Sequence, residues 1–581
     1  MYLEKIKSPN DIKSFTMKQL GELAKEIRNG VLNRDSNVGG HVGPNLGIVE
    51  ATIAMHYVFN CPEDKFVFDV SHQSYPHKML TGRAYGYIDN ERLNEVSGYS
   101  SPAESPEYDT FELGHTSTSI SLATGLQKAR DIRGGKENII VVIGDGSLSG
   151  GEAMEGLDEA AELGTGIIIV VNDNEMSIAE NHGGIYKNLE LLRKTEGKAE
   201  CNWFRAFGLD YEYVADGNDL EALINIFNKV KDTNRPTVVH IHTEKGRGYA
   251  PAVENKEEWH WSMPFDIETG KPKSEATGED WGNLTGEYLL EEMKNDPLLV
   301  AVTSGTPTVA GFFRNRRLEA GKQFVDVGIA EEQAVAMISG MAKGGLHPVY
   351  NVYATFLQRT YDQLAQDLCI NGNPAVINVF WGSVNGMNDI THIGFYEIPM
   401  LSNIPGLVYL APTCWEEYKA MMAWGIKQQE HPVAIRVPAG QVRHSDAEFD
   451  TDYSTLNRFK MVRQGEKVAI IGVGAYYWLA LEAADKLKAE KGIDATVISP
   501  RYLSGLDEKL LNELKENHDT VMTLEDGSIE GGFGEKVARF YGDSKMRVLV
   551  RGIKKGLYDR YDFRQMAIDN RLTAEQIVED L

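Results

Sequence analysis

The segment IIVVIGDGSLSGGEAMEGLDEAAELGTGIIIVVNDNEMSI, residues 139–178, decides the fold. Ile139 to Ile143 is an unbroken β-branched run, the pattern of a strand buried on both faces. The turn GDGSLSGG follows, then a helical stretch from Glu152 to Leu163, then a second apolar run from Ile167 to Val171. That order is one βαβ unit and predicts a parallel sheet flanked by helices. Both strands of such a unit end on the same sheet edge, where doubly wound folds place their ligands. Asp145 and Asn174, 29 positions apart, therefore converge although a helix lies between them in sequence. A carboxylate and an amide oxygen are hard donors that suit Mg²⁺ or Ca²⁺, and Mg²⁺ completes its shell with phosphates and water. Gly144 and Gly146 let the backbone approach a diphosphate, and the helix after them offers its N-terminal amides to the anion. A lone GDG is better explained as a tight turn whose Asp caps a helix. The spaced Asn172-Asp173-Asn174 after a second strand reverses that preference.

Strands alternate with helical patterns outward from this unit as well. The first block ends near Gly270, and KPKSEATGED (271–280), polar and containing Pro and Gly, reads as a linker. A second block, Trp281 to Asp450, offers strands at Phe324–Val327, Pro348–Tyr353, Ala375–Phe380, Leu407–Leu410 and Val433–Val437. The acidic stretch Ser445 to Thr455 leads to a third, with strands at Val468–Val473, Ala495–Ser499, Thr520–Leu524 and Val548–Arg551. The expected architecture is α/β, three domains with parallel sheets flanked by helices, spanning 1–280, 281–450 and 451–581. Gly472-Val473-Gly474 lacks the third glycine of a dinucleotide fingerprint and reads as a plain strand-to-helix turn.

Composition narrows the class of partner. Against 59 Lys and Arg stand 85 Asp and Glu, a formal charge of −26, which repels nucleic acid and leaves an anionic substrate dependent on a local cation cluster. Cys61, Cys201, Cys369 and Cys414 form no CxxC pair, so neither a disulfide framework nor a thiolate zinc site is indicated, and a reducing cytoplasm fits. His72 and His77 lack a third ligand at zinc spacing. The charged segment MYLEKIKSPNDIKSF has no signal-peptide character, and runs such as Ile167–Val171 fall far short of the ~20 residues of a membrane span.

Several further stretches, read together with GDG and NDNEMSI, resemble the 1-deoxy-D-xylulose 5-phosphate synthase family within the transketolase superfamily of thiamine-diphosphate enzymes. They are GGHVGPNLG (39–47), FDVSHQSYPHKMLTGR (68–83), GHTSTSIS (114–121), KGRGYAPA (245–252), IAEEQAV (329–335), YATFLQRTYDQ (353–363) and THIG (391–394). EDGSIEGGFG (525–534) resembles the superfamily's C-terminal domain. The resemblance implies a diphosphate-binding domain, a pyrimidine-binding domain and a C-terminal domain, in that order. It implies thiamine diphosphate and Mg²⁺ as cofactors, with Asp145, Asn174 and a backbone carbonyl near Met176 holding the metal. Gly114, His115, Thr116, Gly144, Gly146, Ser147, His72, Lys245 and Tyr249 match cofactor-pocket positions. Glu331 matches the glutamate that hydrogen-bonds the aminopyrimidine, and Phe356 the aromatic residue packed on that ring. His41, His260 and His392 match histidines facing the reacting carbon, while Tyr353, Arg359 and His392 fall on the substrate side.

The acceptor half departs from the family pattern. Asp-Arg-Ala-Gly and Tyr-Pro-Arg-Gly segments supply the family's phosphate-gripping arginines, whereas this chain has Phe380-Trp381-Gly382-Ser383 and Val437-Pro438-Ala439-Gly440. Buried hydrogen bonds to charged groups are worth ~1.5–3 kcal/mol each, so losing two weakens a phosphorylated acceptor unless another cation substitutes. Arg359, Arg436, Arg443 and His444 are the candidates. Asn388 stands where the family has Asp, and Gln333 where it has His. The expected activity is decarboxylating carboligation of pyruvate, or a related 2-oxo acid, with an aldehyde. The alternative is a transketolase- or acyloin-synthase-like enzyme with a different or unphosphorylated acceptor. A homodimer follows from the resemblance; a cytoplasmic location fits the cysteine usage, and small molecules rather than nucleic acid or membrane are the expected partners.

Overall fold

A computed structural model describes residues 1–274 and 278–581; Glu275, Ala276 and Thr277, inside the expected linker, lie outside the described residues. The chain forms two compact units, Met1–Ala276 with Gly328–Ala330, and Thr277–Val327 with Glu331–Leu581. Among the described residues no helix is long and apolar enough to cross a membrane, and the four cysteines are free thiols.

The first unit is built on strands β1 (Lys65–Phe68), β2 (Ile139–Gly144), β3 (Ile167–Asp173), β4 (Asp210–Val214) and β5 (Pro236–His242). Their order is β1-β2-β3-β5-β4, and every pairing is parallel. β2 and β3 are buried on both faces, as their uninterrupted Ile and Val demand. One apolar cluster joins Ile139, Val141 and Ile143 to the helices Ser119–Arg133 and Gly151–Leu163; another joins Ile140 and Val142 to the helix Val49–Val58.

The second unit holds two sheets. Strands β6 (Leu299–Thr303), β7 (Phe324–Asp326), β8 (His347–Tyr353), β9 (Val376–Phe380), β10 (Val408–Leu410) and β11 (Val433–Arg436) are parallel throughout, in the order β10-β11-β9-β8-β6-β7. The other sheet contains β12 (Lys460–Arg463), β13 (Lys467–Gly472), β14 (Thr496–Ser499), β15 (His518–Ser528) and β16 (Arg547–Ile553), in the order β12-β14-β13-β15-β16. The expected parallel sheets flanked by helices are found in all three cases, with one addition: edge strand β12 runs antiparallel to β14. Its sequence KMVR leaves Met461 and Val462 exposed, so no buried apolar run announces it. β6 also goes beyond the strands read from sequence. One apolar core crosses both sheets, with Val352, Ile377 and Tyr409 joined to Ile471, Val521 and Phe533. Gly472-Val473-Gly474 is a strand-to-helix turn, as expected, leading into the helix Tyr476–Lys491.

Candidate active site

On the first unit, chemistry gathers at the carboxyl edge of the sheet. The turn after β2 presents Asp145, fully buried, whose Oδ2 accepts a hydrogen bond from Asn181 Nδ2 at 2.6 Å. Its Oδ1 is buried and has no hydrogen-bond partner among the described residues. Burial, with repulsion from Asp173 added, pushes the Asp145 carboxyl up to about 8. Asn174, also buried, lies beyond the end of β3 and accepts the Met176 N–H at 3.2 Å. Gly146 is required by space, since a Cβ there would come within 2.8 Å of the Ser177 hydroxyl. Tyr186 donates to the carbonyls of Asp145 and Gly146, 3.2 Å from each, and so fixes the turn.

The loop Gly114-His115-Thr116 abuts the same turn, for the next residue, Ser117, donates to the Ser147 carbonyl at 2.8 Å. Asp69, just beyond β1, accepts the N–H groups of Ser117 (2.9 Å) and Ser119 (3.1 Å) at the start of the helix Ser119–Arg133. Val70 and Ser71 follow with φ of +58° and +62°. A β-branched residue in that region is strained, and such strain collects where a site over-determines the backbone. His72 comes next, and its ring contacts those of His41 and His260, with centroids 5.0 and 5.3 Å away, while His41 and His260 are 5.5 Å apart. Asn45 donates to the carbonyls of both His41 and His72 at 2.7 Å, tying two loops together. Lys245, buried, donates to the Ser177 carbonyl at 2.7 Å and lies 3.2 Å from His260 Nδ1. Burial lowers Lys245 to about 7 against the pull of Asp145. Burial, then Lys245 and the other two imidazoles, holds His260 well below the usual histidine range.

Tyr249 belongs to the apolar cluster that also holds Val42 and Leu46. Its ring packs on Trp259 and Phe265 in the apolar core, and its hydroxyl donates to the Ile267 carbonyl at 3.0 Å.

On the second unit the six-stranded sheet's carboxyl edge carries the other group. Glu331 opens the helix Glu331–Lys343, is 2% exposed, and has its Oε2 3.6 Å from Arg359 Nη1. Burial pushes its carboxyl up to about 7, with Arg359 opposing. Tyr353 ends β8, and Phe356 follows on the short helix Ala354–Leu357. Edge-to-face contacts run in a row: Trp381 to Tyr353 at 5.4 Å, Tyr353 to Phe356 at 5.7 Å, Phe356 to His392 at 5.7 Å. His392 Nδ1 lies 2.8 Å from the Thr391 hydroxyl and 3.5 Å from Asp389.

The replacement cations have other partners. Arg436, at the end of β11, is buried among Glu397, Asp526 and the Gly382 carbonyl, and donates to all three. His444 bridges Glu279 and Glu416. Arg443 is exposed. Asn388 donates to the Tyr561 carbonyl at 2.9 Å, and Gln333 is exposed. Sequence reasoning did not reach Asn45, Asn181 or Tyr186. It also missed the buried set in which Asp173 meets His240 (2.9 Å) and Arg193 (2.5 Å). Of these, Asn181 had a sequence signal, an amide shortly beyond the Asn174 turn.

Comparison with known proteins places these features in a class. Family models match along the whole order of blocks: 1-deoxy-D-xylulose-5-phosphate synthase at residues 3–202 and 194–243, the transketolase pyrimidine binding domain at 278–444, and the transketolase C-terminal domain at 457–561. Together they describe an enzyme of the thiamine-diphosphate-dependent transketolase superfamily. The chain is 36% identical to the 1-deoxy-D-xylulose-5-phosphate synthase of Desulforudis audaxviator, over 95% of this chain and 92% of that protein. It is 35% identical to 1-deoxy-D-xylulose-5-phosphate synthase 1 of Geobacter sulfurreducens, over 96% and 93%. It is also 35% identical to the synthase of Caldanaerobacter subterraneus subsp. tengcongensis, over 99% of each. The chain belongs to the 1-deoxy-D-xylulose-5-phosphate synthase family.

Proposed function

We propose that this chain catalyses the decarboxylating carboligation of a 2-oxo acid, pyruvate in the simplest case, with an aldehyde, using thiamine diphosphate and Mg²⁺. The observation that carries the reading is Glu331. A buried carboxyl with its proton balance near neutrality is costly to keep and has no use in a module that only binds. The residues also fit the cofactor. Asp145, Asn174 and the Met176 carbonyl would make an all-oxygen donor set, the buried Asp145 Oδ1 has no hydrogen-bond partner among the described residues, and a divalent cation would favour its ionised form. Among the described residues no three His, Cys, Asp or Glu cluster as a metal site; Mg²⁺ held here would draw its other ligands from phosphate and water. When bound, thiamine diphosphate supplies the carbon nucleophile and the electron sink for decarboxylation.

The chain's own residues do the rest. Glu331 holds a proton for hydrogen bonding to a ring nitrogen, and Phe356 offers an apolar face to that ring. Lys245 fixes the Asn174–Ser177 segment through the Ser177 carbonyl. His260, beside Lys245 and held well below the usual histidine range, favours a neutral imidazole, and with His41 and His72 around it can pass a proton to or from a substrate oxygen. In the net reaction the C1–C2 bond of the oxo acid breaks and CO₂ leaves. The electron pair forms a bond to the aldehyde carbon, and the aldehyde oxygen takes up one proton. Assembly as a homodimer accompanies this reading.

The test is pyruvate with an aldehyde panel, scored by CO₂ release and by the mass of the hydroxyketone formed. Turnover that requires both thiamine diphosphate and Mg²⁺ is expected. Tight cofactor binding with no CO₂ release from any 2-oxo acid would leave a binding protein instead.

A further inference from the structure

Trp381 is the residue that the fold takes most trouble to display. It follows the last residue of β9 with a φ of +60°, a conformation that bulky side chains seldom adopt. Four neighbours hold the backbone there. Arg436 donates to the Gly382 carbonyl, the Val384 N–H donates to the Asp526 carbonyl at 2.9 Å, and the Gly386 N–H closes onto the Ser383 carbonyl at 2.9 Å. Gly394 packs so closely that a Cβ would stand 2.5 Å from the Trp381 carbonyl oxygen. The indole held in this way is 42% exposed, although it meets the half-buried Tyr353 ring edge to face. A strained, over-determined backbone that presents a large, part-exposed apolar ring at the end of a row of aromatic contacts running to His392 is the signature of a functional surface rather than of packing.

The charges around this edge argue the same way. Arg359 faces Glu331, Arg436 is enclosed by two carboxylates, and His444 lies between two more. A phosphate arriving here would draw on guanidinium and imidazole groups that already face carboxylates, under a net charge of −26. An apolar or aromatic group would instead gain edge or face contact with Trp381 and Tyr353.

We infer that Trp381 and Tyr353 form the acceptor subsite of this enzyme, and that the subsite takes an uncharged aldehyde with an aromatic or branched apolar substituent. The inference rests on the carboligation reading above and names its second substrate.

Holoenzyme with pyruvate is assayed against benzaldehyde, D-glyceraldehyde and D-glyceraldehyde 3-phosphate, in wild type, Trp381→Phe and Trp381→Ala. Wild type should favour benzaldehyde over the phosphate by at least tenfold in kcat/KM. Trp381→Ala should lose at least tenfold with benzaldehyde, mainly through KM, and Trp381→Phe should recover most of it. A preference below tenfold, a preference for the phosphate, or an equal loss with all three aldehydes in Trp381→Ala would overturn the inference. Saturation-transfer NMR of benzaldehyde on the same holoproteins is the second readout. Signal on the ring protons in wild type that disappears in Trp381→Ala supports the subsite; no signal, or one unchanged by the substitution, overturns it. If no aldehyde yields CO₂, the carboligation reading has failed, and the NMR comparison alone decides the subsite.

Discussion

Two sheet edges, one on each unit, carry the candidate chemistry, and they treat charge in opposite ways. On the first, Asp145 is buried with one oxygen unpartnered and a carboxyl near 8, a charge deficit that a cation would fill. On the second, Arg436 is buried among Glu397, Asp526 and the Gly382 carbonyl, a cation whose partners are complete within the chain. The lesson is that burial alone does not separate function from structure. An incomplete buried group points to a ligand, whereas a satisfied one points to the framework holding the site.

Breaking each side of the comparison gives different signatures. Asp145→Ala should reduce turnover to background and collapse thiamine diphosphate affinity in the presence of Mg²⁺, while the fold persists, because it removes a buried carboxyl group with one unsatisfied oxygen from the apo protein. Calorimetric titration with the cofactor measures this, and unchanged affinity would remove Asp145 from the metal site. Arg436→Ala should do the reverse and destabilise the second unit by about 3–5 kcal/mol, since it strands two buried carboxylates. A urea midpoint equal to that of wild type would show the triad to be slack.

The smallest effect concerns pH. The Glu331 carboxyl is raised from 4.5 to about 7 in the folded chain, so between those values the native state binds the extra proton and stability falls as pH rises. Glu331→Gln removes that dependence. At pH 8 the variant should match or exceed wild type by up to about 3 kcal/mol, and at pH 5 the gap should close. A gap that does not change with pH would mean an ordinary Glu331 carboxyl. Hydrogen–deuterium exchange at the cofactor's C2, measured on the same variant, separates this stability term from catalysis, for exchange should slow while the cofactor stays bound.

Much of this was legible in the primary structure because the first half-site is a local pattern. Strand, GDG, helix, strand and NDN follow within 40 residues, and sheet topology does the rest. The partners of those residues were not legible. Asp173 and His240 lie 67 residues apart and meet only through the β3–β5 register. β12 was invisible because a half-exposed edge strand carries no continuous apolar run. The ring neighbours of Tyr249, Trp259 and Phe265, were likewise not legible in KGRGY.

The route by which Trp381 is held has a bearing on modularity. Its turn is anchored by Arg436, which is itself anchored by Asp526, and Val384 is tied to the same residue's carbonyl. Asp526 belongs to β15, in the C-terminal sheet. The last block of the chain is thus not an interchangeable appendage. A chimera that borrows residues 451–581 from a relative would hold the Trp381 turn as this chain does only if an acid stands at position 526.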